Sequence, residues 1–205
     1  EKAQYFFDQG LRLTYAFNHQ EALRSFKEAA RNDPDCGMAY WGWALVLGPN
    51  LNLPMSPEVA PQAYAAVQMA LARTDKVTAK EKGYIEALAR RYAADPSADR
   101  AQLDAAYAEA MRQLHVRYPE DNHAATLYVS ARMNQSPWDY WTRDGRPKPG
   151  TPEILSTLEL VLEREPEHIG ALHYYIHAVE AADAERGAAA ADRLRGLAPG
   201  AGHLV

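Results

Sequence analysis

The chain has 205 residues, 47% of them hydrophobic and 24% charged, with a net charge of −5. That is enough apolar material for a real core in one or two domains, and the balance is wrong for wholesale disorder. No basic cluster offers itself to nucleic acid, no apolar run approaches a membrane span, and the single cysteine, Cys36, can make neither an internal disulfide nor a thiolate metal site.

Alanine-rich amphipathic stretches fill the chain, strand-like alternation is absent, and β-branched residues are sparse, so the expected fold class is all-α. The sequence opens at Glu1 with no methionine. This leaves a removed secretory leader open, and both a cytoplasmic and a periplasmic location with it.

The first stretch, "FFDQGLRLTYAFNHQEALRSFKEAARNDP", divides into two helical segments. Gly10 and Ala22 are small where the two helices would cross, Phe26 and Ala29 face the next helix pair, and Pro34 closes the second helix. Asn18 with Glu21 reads as a capping box at the start of that second helix. The spacing of Gly10, Ala22, Phe26, Ala29 and Pro34 resembles a tetratricopeptide repeat. It departs from that pattern at Gln9, where Leu is usual, and at Phe6 and Leu13, where Trp and Tyr are usual.

Further down the chain, repeat ends recur at Thr74-Asp75, Tyr118-Pro119, Glu165-Pro166 and Ala198-Pro199. These divide the chain into helix pairs over roughly 3–34, 36–75, 77–119, 120–166 and 167–199. The extra length falls inside the later pairs, in "GPNLNLPMSPE", around "YAADPSAD", and in "NQSPWDYWTRDGRPKPGT". Ser56-Pro57 and Thr151-Pro152 each offer a cap followed by Pro at the first helical position, and Thr78 with Glu81 offers another capping box. The expectation is one right-handed α-solenoid of about five tetratricopeptide-like repeats with a continuous core. "PGAGHLV" reads as the entry to a sixth, truncated repeat, with the native chain continuing beyond it.

The resemblance implies that the first helix of each pair lines a concave face. Gln4, Phe7, Leu11, Thr14 and Tyr15 fall there in the first pair, and Met38, Trp41 and Leu45 in the second. Lys82, Glu86 and Arg90 follow in the third, His123, Thr126, Ser130 and Met133 in the fourth, and His173, His177 and Glu180 in the fifth. His203 would open a sixth. The long loops carry Leu51, Leu53 and Met55, and Trp138, Tyr140 and Trp141; these side chains either narrow the groove or plug gaps between widened repeats.

The stretch "LHYYIHAVE" puts His173, His177 and Glu180 on one helical stripe. Two imidazoles at i and i+4 can hold one divalent ion, with Glu180 as third ligand or outer partner and His123 or His203 as further ligands. The zinc-protease pattern is absent, because Tyr174 stands where its general base would be. The alternative is polar groove lining, in which neutral imidazoles offer donors and acceptors to a ligand.

Beyond the repeat, "YFFDQGLRLTYAFNHQEA", "AYWGWALVLGPNLNLPM", "PWDYW", "LHYYIHAVE" and "ADRLRGLAPGAGHLV" resemble a group of uncharacterised bacterial tetratricopeptide proteins over nearly the whole length. The expected function is a binding or assembly module for a protein, peptide or small amphipathic ligand, anchored by Trp41, Trp138 and Trp141. The second expectation is a metal-binding protein or metal-dependent enzyme using a divalent transition metal at His173, His177 and Glu180.

Overall fold

A computed structural model describes residues 1–197, and every regular element among them is helical. The order is α1 (Lys2–Tyr15), α2 (His19–Asn32), α3 (Gly37–Val46), a 3-10 turn (Pro57–Val59), α4 (Ala60–Leu71), α5 (Ala79–Ala89), α6 (Arg100–Arg117), α7 (Asn122–Met133), α8 (Thr151–Arg164), α9 (Ile169–Val179) and α10 (Ala184–Leu194). Each helix packs on the next in sequence, with further contacts of α1 on α3, α3 on α5 and α7 on α9. None is long and apolar enough to cross a membrane.

Local chemistry explains most of the boundaries. Thr78 and Glu81 form a reciprocal capping box at the start of α5, and the side chains of Asp99, Asp121 and Asp183 accept backbone N–H groups at the starts of α6, α7 and α10. Two expected caps differ. Asn18 occupies the N-cap position of α2 without a side-chain cap bond, and Glu21 pairs instead with Arg24 at 2.7 Å. At α8 the cap position falls on Gly150 at φ +91°. Thr151 is the first helical residue and turns its hydroxyl to the Tyr140 carbonyl at 2.7 Å, which ties the preceding loop to the helix. The Ser56 side chain makes no cap bond to the 3-10 turn beside it.

Close helix crossings use glycine where a Cβ has no room. A Cβ on Gly10 would lie 2.9 Å from the Phe26 ring, and one on Gly42 would lie 2.3 Å from it. Phe26 is therefore wedged between α1 and α3, fully buried. The long connections, residues 47–59, 90–99 and 134–150, each come after an odd-numbered helix. They are tied down by polar contacts. Buried Arg91 donates to Asp104 at 2.9 Å and to the Pro49 carbonyl at 3.2 Å, and its guanidinium lies over the Tyr107 ring.

One contact joins distant parts of the chain. Helix α1 lies against α9, where the Tyr15 ring sits on Gly170 so closely that a Cβ there would be 2.5 Å from the ring. Arg12 adds a hydrogen bond to the Leu197 carbonyl at 2.9 Å.

Candidate functional site: a histidine cluster between the first and ninth helices

The α1–α9 contact gathers His123, His168, His173 and His177 around Tyr15 and Phe17. Helix α9 supplies two of them at i and i+4, so their rings lie one turn apart on a single face. The His173 and His177 rings are 4.7 Å apart, and their Nε2 atoms are 3.0 Å apart. Each ring is oriented from its other nitrogen. His173 Nδ1 lies 2.5 Å from the Tyr15 carbonyl, and His177 Nδ1 lies 2.9 Å from a Glu180 carboxylate oxygen. His173 is buried, His177 is half-buried, and Glu180 is exposed at the end of α9.

Aromatic rings flank the pair. Phe17 packs on His173 at 4.4 Å between ring centres and lies parallel to His177 at 6.0 Å. Trp138, from the loop after α7, meets His177 edge-on at 5.1 Å. Phe17 (φ 55°) and Trp138 (φ 64°) are the two non-glycine residues with left-handed backbone among the described residues. Bulky side chains rarely adopt this conformation; such a residue costs about 1–3 kcal/mol and needs the surrounding structure to hold it.

A second, connected group is built on His123 and His168. The Tyr15 hydroxyl is 2.9 Å from His123 Nδ1, and His168 Nε2 is 3.2 Å from the same atom. His168 also caps α9, its Nδ1 accepting the Ala171 N–H at 3.1 Å. An imidazole accepting at Nδ1 carries its proton on Nε2 when neutral, so His168 donates to His123. Burial, with His123 close by, lowers the His168 pKa to about 4. Burial also holds His123 below the usual histidine value, against the opposing pull of Asp121. Desolvation raises the Tyr15 phenol well above its ordinary range. These rings are therefore neutral hydrogen-bonding groups near pH 7. They face a cleft of about 350 Å³ that Asp8, Arg12, Glu165 and Glu167 also border.

The remaining candidate residues divide by position. Tyr15 and Trp41 are buried, and Trp41 sits edge-on to Tyr84 inside the core, so it presents no surface to a partner. Phe7 and Leu11 are half-buried against the same packing, and Ser130 borders a small crevice beside Tyr174. Lys82, Glu86 and Arg90 lie on α5 or at its end, with Lys82 and Glu86 3.8 Å apart. Trp141 is half-buried and donates its indole N–H to the Ala178 carbonyl at 2.6 Å, and Tyr140 is buried beside it in the chain. Leu51 is buried while Leu53 is exposed. The loop side chains thus mostly fill gaps, and Trp138 is the one that reaches the histidines. His203 lies outside the described residues. Among the described residues, no group of three or more His, Cys, Asp or Glu side chains is arranged to hold a metal ion.

His168 and Phe17 were not on the concave stripe read from the sequence. His168 stands just before α9 as its cap, and Phe17 lies in the turn after α1, so neither obeys the helical spacing that picked out the others. The dipeptide Glu167-His168 before an apolar run was the available signal, as a helix start with an unusual cap.

No protein-family model matches the chain, and neither a curated protein nor a solved structure does.

Proposed function

We propose that the chain is a tetratricopeptide-like α-solenoid of five helix pairs acting as a binding module, its ligand received at the histidine cluster where the first and fifth pairs meet. The pairwise reading is supported by the placement of two helices in each of the five ranges expected from the sequence. The binding reading is carried by one observation: both non-glycine residues in left-handed backbone among the described residues are large aromatics, and both pack on His177. Conformational strain held at one spot by side chains from distant parts of the chain favours a functional site over a packing site. The packing of α1 on α9 favours a small ligand, or one side chain of a partner, over an extended peptide laid along a groove. Imidazoles and Glu180 would supply polar recognition, and Trp138 an apolar contact.

Trp138→Gly tests this directly. Half-exposed Trp138 has little packing to lose, so relief of its backbone should stabilise the protein by about 1 kcal/mol. Ligands that raise the melting temperature of the wild type, drawn from a panel of small amphipathic molecules and short peptides, should fail to do so for the variant. A variant that is no more stable and responds to the same ligands would sink the reading. The second reading, a metal-binding protein or metal-dependent enzyme, draws on the facing imidazoles of His173 and His177.

A further inference from the structure

We infer that the cleft between α1 and the turn joining α8 to α9 binds a small zwitterion with an apolar body, an aliphatic or aromatic α-amino acid. Its carboxylate is taken by Arg12 and the Nε2–H of His123, and its ammonium group by the carboxylates of Asp8, Glu165 and Glu167. The inference rests on the binding reading for its place, the meeting of α1 and α9, but on other residues for its support.

Buried groups fix one hydrogen-bond donor at this cleft. His168 is 2% exposed and accepts the Ala171 N–H at its Nδ1. Its own proton therefore lies on Nε2 and is donated to His123 Nδ1, 3.2 Å away. The buried Tyr15 hydroxyl meets the same nitrogen at 2.9 Å. Two donors converging on Nδ1 leave the proton of neutral His123 on Nε2. The His123 ring packs against Tyr15 and His168, yet the residue stays exposed, and no group among the described residues accepts from its Nε2. His123 thus borders the cleft as a donor that a ligand oxygen can use.

The same cleft holds both signs of charge without joining them. Asp8 and Arg12 stand one turn apart on α1, at a spacing that suits an ion pair. Arg12 instead donates to the Leu197 carbonyl, and among the described residues no ion pair links it to Asp8, Glu165 or Glu167. Asp8 accepts from Gln4 at 2.7 Å, and Glu165 from Asn122 at 3.0 Å. Separate positive and negative groups around one cavity complement a molecule that carries both charges. The carboxylates are not grouped as ligands for a metal ion among the described residues, so the cation they suit is an organic ammonium with several N–H donors to share. Leu11, Ile169 and Leu197 supply apolar wall between the charges. The volume of about 350 Å³ lies at the small end of ligand pockets and matches a molecule of amino-acid size.

The test is calorimetry on the whole chain with alanine, valine, leucine and phenylalanine, at least one of which should bind one-to-one. For the tightest, the amine lacking its carboxylate and the acid lacking its amine should each bind at least ~10-fold more weakly, as loss of hydrogen bonds to a charged group does. Arg12→Gln should weaken the amino acid by about tenfold and leave the amine no weaker, whereas Glu165→Gln should weaken both by about tenfold. Both substitutions fall on exposed residues, and their different patterns separate the site from a loss of fold. Imidazole ¹⁵N spectra should show His123 protonated on Nε2. No binding of any of the four amino acids, a half-ligand that binds as tightly as the whole, or a His123 proton on Nδ1 would overturn the assignment. The two readings fail separately. Amino-acid binding that depends on Arg12 but not on Trp138 keeps the cleft and removes Trp138 from the binding reading, whereas a Trp138-dependent ligand with no amino acid bound keeps the binding reading alone.

Discussion

At the scale of single residues, burial sets the behaviour of the histidines. His168 and His19 are both held near pKa 4, each chiefly by burial, with His123 acting on the first and Arg91 on the second. The folded protein therefore keeps these rings neutral, while the unfolded chain protonates them near pH 6.5. The stability tied to them is intact above pH 6.5 and is lost as pH falls toward 4, because the unfolded state binds more protons in that window. A shift of this size in one ring corresponds to about 3 kcal/mol. Melting temperatures measured across that window should drop on acidification, and His168→Asn should make the drop shallower, since Asn keeps the helix cap without titrating. An unchanged pH profile in that variant would show that His168 does not set it. The i, i+4 spacing of His173 and His177 was legible in the sequence because helical geometry alone brings them together. The partners of their Nδ1 atoms divide. Glu180 was legible as a neighbour on the same helical stripe, but the Tyr15 carbonyl was not, because it lies far away in the chain and backbone carbonyls leave no mark in a sequence.

At the scale of elements, capping chemistry was legible where side chain and backbone satisfied each other locally. The box at Thr78 and Glu81 formed as expected, with Thr78 N–H donating to Glu81 at 2.8 Å. Thr78→Ala should cost about 1 kcal/mol, measurable by urea denaturation; a variant as stable as the wild type would mean that solvent replaces the box. The equally good pattern at Asn18 and Glu21 did not form. The turn before it is tightened by a left-handed Phe17, whose side chain is committed to the histidines. The apolar loops looked the same on paper but met different ends. Tyr140 and Trp141 found backbone acceptors in neighbouring segments, while Trp138 was left over the His177 ring.

At the scale of the molecule, the all-helical class was legible as pattern, and the contact between α1 and α9 was not. Packing of each helix on its neighbour in sequence predicts no such meeting of α1 and α9. It depends on how the long connections orient the helices they join, which no local signal encodes. Gly170 is where this closure can be tested, because a Cβ there would strike the Tyr15 ring at 2.5 Å. Gly170→Ala should destabilise by about 1–3 kcal/mol, as overpacking does, and should move the Tyr15 carbonyl away from His173. Hydrogen-exchange protection at the end of α1 should fall together with that of α9, and a loss confined to α9 would show the two helices to be independent.

The same closure sets a timetable for the protein's birth. The hydrogen bond from His173 to Tyr15 spans 158 positions in the chain. Neighbouring helices can condense as they leave the ribosome, but this pairing must wait until α9 has emerged. At about 5–20 residues per second, Tyr15 and Phe17 spend on the order of ten seconds outside the exit tunnel before their partners arrive. During synthesis the aromatics at the end of α1 are thus a sticky, unfinished surface, and the histidine cluster comes into being only once α9 has joined them.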